Sequence, residues 1–218
     1  MKAVESQHEP ATAVRRALGV AVAGLTDAFE PGELAFLAVT SKAELPIRDR
    51  LAWCLAQDLG EAFIVTREWR RADLAILAGS NVVAQVEAKA LYSFDVLREA
   101  GRQKYLGYLR ADAVKMQALA ALATSDRFLL SIVTDVRGEI RPELMRHVVK
   151  YTPGITKAAS LYGSDEVRSM AKERWPKGLD QSFGVSTAVT HLDGGVVWGL
   201  DVGVDVFLIG PLSEADHG

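Results

Sequence analysis

The stretch from Arg67 to Leu91, R-E-W-R-R-A-D-L-A-I-L-A-G-S-N-V-V-A-Q-V-E-A-K-A-L, constrains this chain more than any other. An apolar run, Leu74 to Leu77, follows Asp73, and a turn cluster, Gly79-Ser80-Asn81, follows that run. A second apolar run then ends in Glu87-Ala88-Lys89. Two β-type runs separated by Gly, Ser and Asn predict a hairpin. Side chains alternate across a strand, so Glu87 and Lys89 share one face while Val86 and Ala88 share the other. A hairpin brings its outer ends together, which carries Asp73 toward the same place. Three charged groups are thus expected to converge at one edge of a sheet.

That convergence has a chemical use. Two carboxylates can hold a hard divalent cation and leave positions for water and a phosphate. The cation polarises a phosphoryl oxygen and makes bound water a better nucleophile. A lysine beside it stabilises developing phosphorane charge or orients the water. The bland alternative is a solvated acid–lysine pair on an exposed strand, which contributes little. A bare E-x-K would favour that alternative. The preceding acid on its own strand, the intervening length and the apolar strand leading into the pair favour a site.

Asp73 followed by Glu87-Ala88-Lys89 at a strand end resembles the PD-(D/E)XK nuclease superfamily, also called restriction-endonuclease-like. The resemblance spans about Glu44 to Thr134. It departs from the pattern at Ala72, where the name-giving proline, commonly absent in the superfamily, would stand. It implies an α/β fold with a mixed central sheet flanked by helices, built as a helix, three antiparallel strands, a helix and another strand. It implies that Asp73 and Glu87 bind magnesium or manganese and that Lys89 assists the water or the phosphate. The helix before the sheet usually supplies another acid. Glu44, four residues ahead of Arg48, resembles the E-x-x-x-R start of many members, and Asp49 competes with it. An idle acid near a helix N-terminus, favourable to the dipole, is the alternative for either. The implied substrate is DNA, cut by a two-fold dimer with one site per subunit. A chain with no evident recognition module is expected to act with a protein partner in restriction, repair or phage defence. Two other classes compete: a non-cleaving nucleic-acid- or protein-binding subunit on the same fold, and a small assembly protein.

A formal net charge of −3 gives no global case for nucleic-acid binding, so basic groups must be concentrated locally. Arg102 and Lys104 lie on the expected helix after the E-x-K strand, with Arg98 and Arg110, and are candidate phosphate contacts. On the same helix Asp112-Ala113-Val114-Lys115 forms a D-x-x-K that resembles an accessory pattern of the superfamily. Lys115 is either a phosphate contact or half of an exposed i, i+3 ion pair. Tyr92, Tyr105 and Tyr108 are interleaved with these cations; such residues stack on bases or, more often, fill a core. Arg67, Arg70 and Arg71 surround Glu68 and are its expected partners.

The single Cys54 excludes an internal disulfide and a cysteine zinc cluster, and the four histidines show no metal-ligand spacing. Absence of a Gly-rich phosphate loop and of G-x-S-x-G removes support for an NTPase, a dinucleotide enzyme or a serine hydrolase. Met1 to Pro10 has no apolar signal region and no run is long enough to span a bilayer, so a cytoplasmic protein is expected. The length suits one domain over 1–218. A core at about 41–135 is expected to carry an N-terminal helix at 12–29 and C-terminal helices with a β-hairpin at 141–210. Within that last part, Pro142–Lys150 reads as helical, Thr152-Pro153-Gly154 as a break, and Ser164–Trp175 as a helix ended by Pro176. Asp193-Gly194-Gly195 reads as the hairpin turn. Asp201 and Asp205 are either a second acidic site or ordinary alternation.

Overall fold

A six-stranded mixed sheet organises the chain, with helices on both faces. The computed structural model describes residues 2–120, 125–145 and 147–212. Helices α1 (Lys2–Gly24), α2 (Glu33–Thr40) and α3 (Glu44–Leu59) precede strands β1 (Phe63–Trp69), β2 (Ala72–Ala78) and β3 (Asn81–Tyr92). Helix α4 (Glu99–Ala120) then leads to β4 (Asp126–Arg137), followed by α5 (Thr152–Tyr162), α6 (Ser164–Phe183), β5 (Thr187–Val197) and β6 (Leu200–Ile209). The strand order is β1-β2-β3-β4-β6-β5. Within this sheet, among the described residues, β3 and β4 are the parallel neighbours, because α4 provides the long crossover that a parallel pair requires.

The sheet separates two apolar layers by strand alternation. Leu74, Ile76, Val86, Ala88, Leu130 and Ile132 face α1 to α3, where Val14, Leu18, Leu51 and Leu55 complete one core. Leu91, Leu129, Val133 and Phe207 face the other way, onto Leu106, Leu109 and Met116 of α4 and Trp175 and Leu179 of α6. Fully buried Trp175 donates its indole N–H to Ser131 Oγ at 2.9 Å, which satisfies its one polar atom. Glu87 and Lys89 point into this second layer, opposite Leu129 and Ser131 in the parallel register.

Several local expectations are corrected by packing. Helix α1 begins at Lys2 rather than Thr12, since Lys2–Glu9 contains good helix formers and Pro10 is accommodated inside the helix. Helix α6 runs through Pro176 to Phe183, because Trp175, Leu179 and Phe183 bury one continuous stripe. Thr152-Pro153-Gly154 starts α5 rather than breaking the chain, with proline in the first turn where its missing N–H is harmless. Pro142–Lys150 contains only a short 3-10 turn, Pro142–Leu144, and a bridge between Met145 and Val149. β5 and β6 turn at Trp198-Gly199, not at Asp193-Gly194-Gly195, which is a bulge inside β5. At Gly194 a side chain would strike the Val202 carbonyl, so the glycine serves a close strand approach instead of a turn.

Candidate active site

The site forms where one strand outruns its neighbour. The ladder between β2 and β3 ends at the pair Leu74–Val86, yet β3 continues to Tyr92. Its backbone N–H groups beyond Val86 on that side have no strand partner, and an unpaired buried N–H is costly. Carboxylates take them. Asp73 Oδ2 accepts from Ala88 N at 2.8 Å, and Glu44 Oε2 accepts from Ala90 N at 2.9 Å. Asp95 Oδ2 accepts from Tyr92 N at 3.0 Å, continuing the row. Lys42 Nζ donates to the Ala90 carbonyl at 3.2 Å. A free strand edge thus fixes Asp73 and Glu44 two residues apart along β3, with Glu87 and Lys89 projecting from the strand itself.

Helix α4 closes the site from the other side, and its D-x-x-K interlocks with the E-x-K. Lys115 Nζ lies 2.7 Å from Glu87 Oε1, and Lys89 Nζ lies 3.2 Å from Asp112 Oδ2. Asp112 and Lys115 therefore do not pair with each other as an exposed i, i+3 couple. Each reaches the opposite charge on the strand. Glu87 is 2% exposed. Its Oε1 and Asp112 Oδ2 are buried without a directed hydrogen bond among the described residues, so they hold their ammonium partners by proximity.

The electrostatics follow from that burial. Desolvation pushes the Glu87 carboxyl up to about 7, and nearby Asp73 and Asp112 add to it while Lys115 opposes. Burial works against the Lys89 ammonium, but Asp112, Glu44 and Asp73 together outweigh it and hold the lysine above its ordinary value. The site therefore favours the charged form of Lys89. Arg48, itself buried, is likewise opposed by desolvation and held charged by Asp49, Asp73 and Glu68.

The sequence-predicted residues divide cleanly. Asp73, Glu87, Lys89 and Glu44 come together, and Lys115 joins them as the partner of Glu87. Asp49 stays out: it binds Arg48 at 2.9 Å and Arg67 at 2.8 Å in an open groove between α3 and β1. Glu68 pairs with Arg48 at 3.3 Å, a partner twenty residues away, rather than with its neighbouring arginines. Arg102 also stays out, since it binds Glu99 and the Val96 carbonyl and packs beside Gly178 of α6. Lys104 is exposed on α4, above the Tyr108 ring. Two contributors went unassigned in the sequence. Asp112 was visible as the acid of the D-x-x-K, but only the fold turns it toward Lys89. Lys42 had no motif to mark it.

Among the described residues no group of three or more His, Cys, Asp and Glu side chains forms a ready-made metal cage. Magnesium does not need one, because it keeps several waters and takes one or two carboxylates plus substrate phosphate. The donor chemistry fits that pattern: Asp73 and Glu87 would offer hard oxygen ligands from adjacent strands, and the Asp73 charge adds to the cost of ionising Glu87. The buried Glu87 Oε1 lies against the Lys115 ammonium, so a cation already meets this carboxylate. Comparison with protein-family models, curated proteins and solved structures finds no match to this chain in any of the three.

Proposed function

We propose that this protein is a metal-dependent nuclease of the PD-(D/E)XK type that hydrolyses DNA phosphodiester bonds. One observation carries the reading. Two carboxylates, Asp73 and Glu44, are held on successive outward N–H groups of β3, at Ala88 and Ala90, and the Glu87/Lys89 pair projects from the residues that alternate with them. The element order α3-β1-β2-β3-α4-β4, with β3 and β4 parallel, is the order the resemblance implies, and it supports the same reading.

Asp73 and Glu87 would hold magnesium or manganese. Such a cation supplies polarisation of the phosphoryl oxygen and a more acidic bound water. The other steps belong to the chain. Asp73 and Glu44 are prevented from rotating away by their backbone hydrogen bonds, so the acidic edge is preorganised. Lys89, charged throughout the neutral range, is placed to offset negative charge growing on the phosphorane. Lys115, held at Glu87, is within the same site and would be the chain's cation for a substrate phosphate. DNA enters with its own negative charge, and a homodimer or a protein partner supplies targeting that this chain's mild acidity does not.

A second reading is favoured by the crossed pairs. Each charge of the E-x-K already has an opposite partner on α4, which suits a non-cleaving binding subunit on the same fold. Cleavage of supercoiled plasmid and short linear DNA in magnesium or manganese separates the two. The nuclease reading expects metal-dependent cutting that is lost in Glu87→Ala and Lys89→Ala. DNA binding without cutting under any metal condition would leave the binding subunit.

A further inference from the structure

The acidic edge of β3 runs into a cluster of tyrosines and lysines that the hydrolytic chemistry does not use. Lys42 Nζ sits 5.7 Å from the centroid of the Tyr105 ring and 6.0 Å from that of Tyr151, within reach of a cation–π contact with both. The same ammonium donates to the Ala90 carbonyl, one peptide group from the N–H that binds Glu44. Both rings therefore approach one ammonium directly beside the proposed catalytic carboxylates. Tyr108 extends the cluster outward, edge-on to Tyr105, and Lys104 stands 5.8 Å over its ring.

The rings are held, not loose. Asp95 binds the Tyr92 N–H and the Tyr105 hydroxyl, which fixes the Tyr105 ring at the end of the acidic row. Tyr151 contacts the buried Tyr92 ring at a centroid distance of 5.0 Å. Its backbone is left-handed, at φ 58 and ψ 18, a conformation that bulky residues avoid. Glycine or asparagine would make the same entry into α5 without that strain. The side chain is nevertheless 46% exposed, so burial alone does not explain a tyrosine there. Strained backbone that presents an exposed ring beside a site is the pattern expected of a ligand contact.

We propose that the slot between Tyr105 and Tyr151 stacks one unpaired base of the DNA strand, with the adjoining phosphate taken by Lys42 and Lys104. The proposal rests on the nuclease reading and sharpens its substrate class. A base within a duplex has both faces covered by its neighbours, so entering between rings costs it unstacking and unpairing. A base of a single strand, a frayed end or an overhang can enter without unpairing, and aromatic stacking accepts every base because each has a π-face. Lys42 leaves its ring-flanked position for the phosphate, and the base replaces the ammonium against the rings.

The test is equilibrium binding of full-length protein, in calcium, to a single-stranded oligonucleotide and to the matching blunt duplex. One position carries 2-aminopurine, whose fluorescence is quenched on stacking. The variants are Tyr151→Gly, which removes the ring and relieves the left-handed strain, Tyr151→Phe, which keeps the ring, and Lys42→Gln. Wild type and Tyr151→Phe should prefer the single strand and quench the probe. Tyr151→Gly should lose the quench and bind the single strand about ten- to a hundredfold more weakly, with duplex binding unchanged. Lys42→Gln should weaken single-strand binding while retaining part of the quench. Wild-type-like single-strand binding by Tyr151→Gly, an equal loss on duplex, or no single-strand binding by the wild type would overturn the slot. The readout needs no cleavage, so a protein that stacks the base but never cuts would sink the nuclease reading alone. One that cuts with Tyr151→Gly binding unchanged would sink the slot alone.

Discussion

Two charged clusters share one face of the sheet, and only one of them has the makings of a site. The first is Glu87, Lys89, Asp112 and Lys115, between β3 and α4. The second lies between β4, β5, β6 and α6. There Arg137 binds Asp201 at 2.5 Å and also approaches Asp135 and Asp165 at 3.7 Å. His191 Nδ1 lies 2.8 Å from Asp205, and Arg168 contacts the other ring nitrogen at 2.9 Å. Both clusters bury a carboxylate, and burial pushes the Asp135 carboxyl up just as it does Glu87. The backbone makes the difference. β6 is paired on both sides, and its carboxylates, Asp201 and Asp205, take side-chain partners, Arg137, His191 and Lys172, and no peptide N–H among the described residues. β3 outruns β2, so the first cluster borders an open edge whose N–H groups align two further carboxylates. Asp201 pairs with Arg137, and Asp205 lies against His191 and, at 4.0 Å, Lys172.

The strongest way to break this contrast is to remove matched acids and measure plasmid cleavage. Asp73→Asn should lower metal-dependent cutting by about a hundredfold or more, the scale of losing one element of a preorganised electrostatic site. Asp205→Asn should leave cutting within about twofold of wild type, because its charge acts only within the second cluster. Equal losses in the two variants would erase the distinction between the clusters.

A smaller effect separates the clusters by pH. Glu87 is held at about 7 against 4.5 for a free glutamate, so the fold favours its protonated form. Its stabilising contribution is present below about 4.5 and is lost as pH rises through about 7. Metal-free protein should therefore lose thermal stability across that interval, and Glu87→Gln should flatten its share of the loss. Asp135 is raised in the same direction and gives a loss of the same sign. Magnesium or manganese should reverse only the Glu87 part, with proton release on binding that fades above about pH 7. Calorimetric titration in two buffers of different ionisation enthalpy reads that release.

The mildest comparison concerns the helix acid. Glu44→Ala removes the acceptor of the Ala90 N–H and should cost about 1–3 kcal/mol in chemical denaturation, with a fall in cutting. Asp49→Ala breaks only ion pairs open to solvent on one side, and should cost about 1 kcal/mol or less with cutting retained. The reverse ranking would return Asp49 to the acidic set.

Much of the architecture is legible in the chain. The β2–β3 hairpin, the buried β4 and the apolar stripe of α3 follow from periodicity and turn residues, which are local properties. The same logic failed where packing outweighed a local signal. Pro176 reads as a helix stop, yet the stripe around Trp175 carries α6 past it. Asp193-Gly194-Gly195 reads as a hairpin turn, yet the glycines relieve a close approach inside β5.

The site divides along the same line. The sequence by itself determined that Asp73, Glu87 and Lys89 would meet, because a hairpin and a two-residue alternation require nothing beyond neighbouring strands. Only the tertiary structure set Glu44, and not Asp49, at the Ala90 N–H. That is a contact across 46 residues that no local rule encodes. The fold alone also crossed the D-x-x-K with the E-x-K and set Lys42 beside two tyrosines, from α4 and the start of α5. Spacing fixes which side chains share an element's face. Which faces meet is decided by the burial of the whole sheet between two layers of helix.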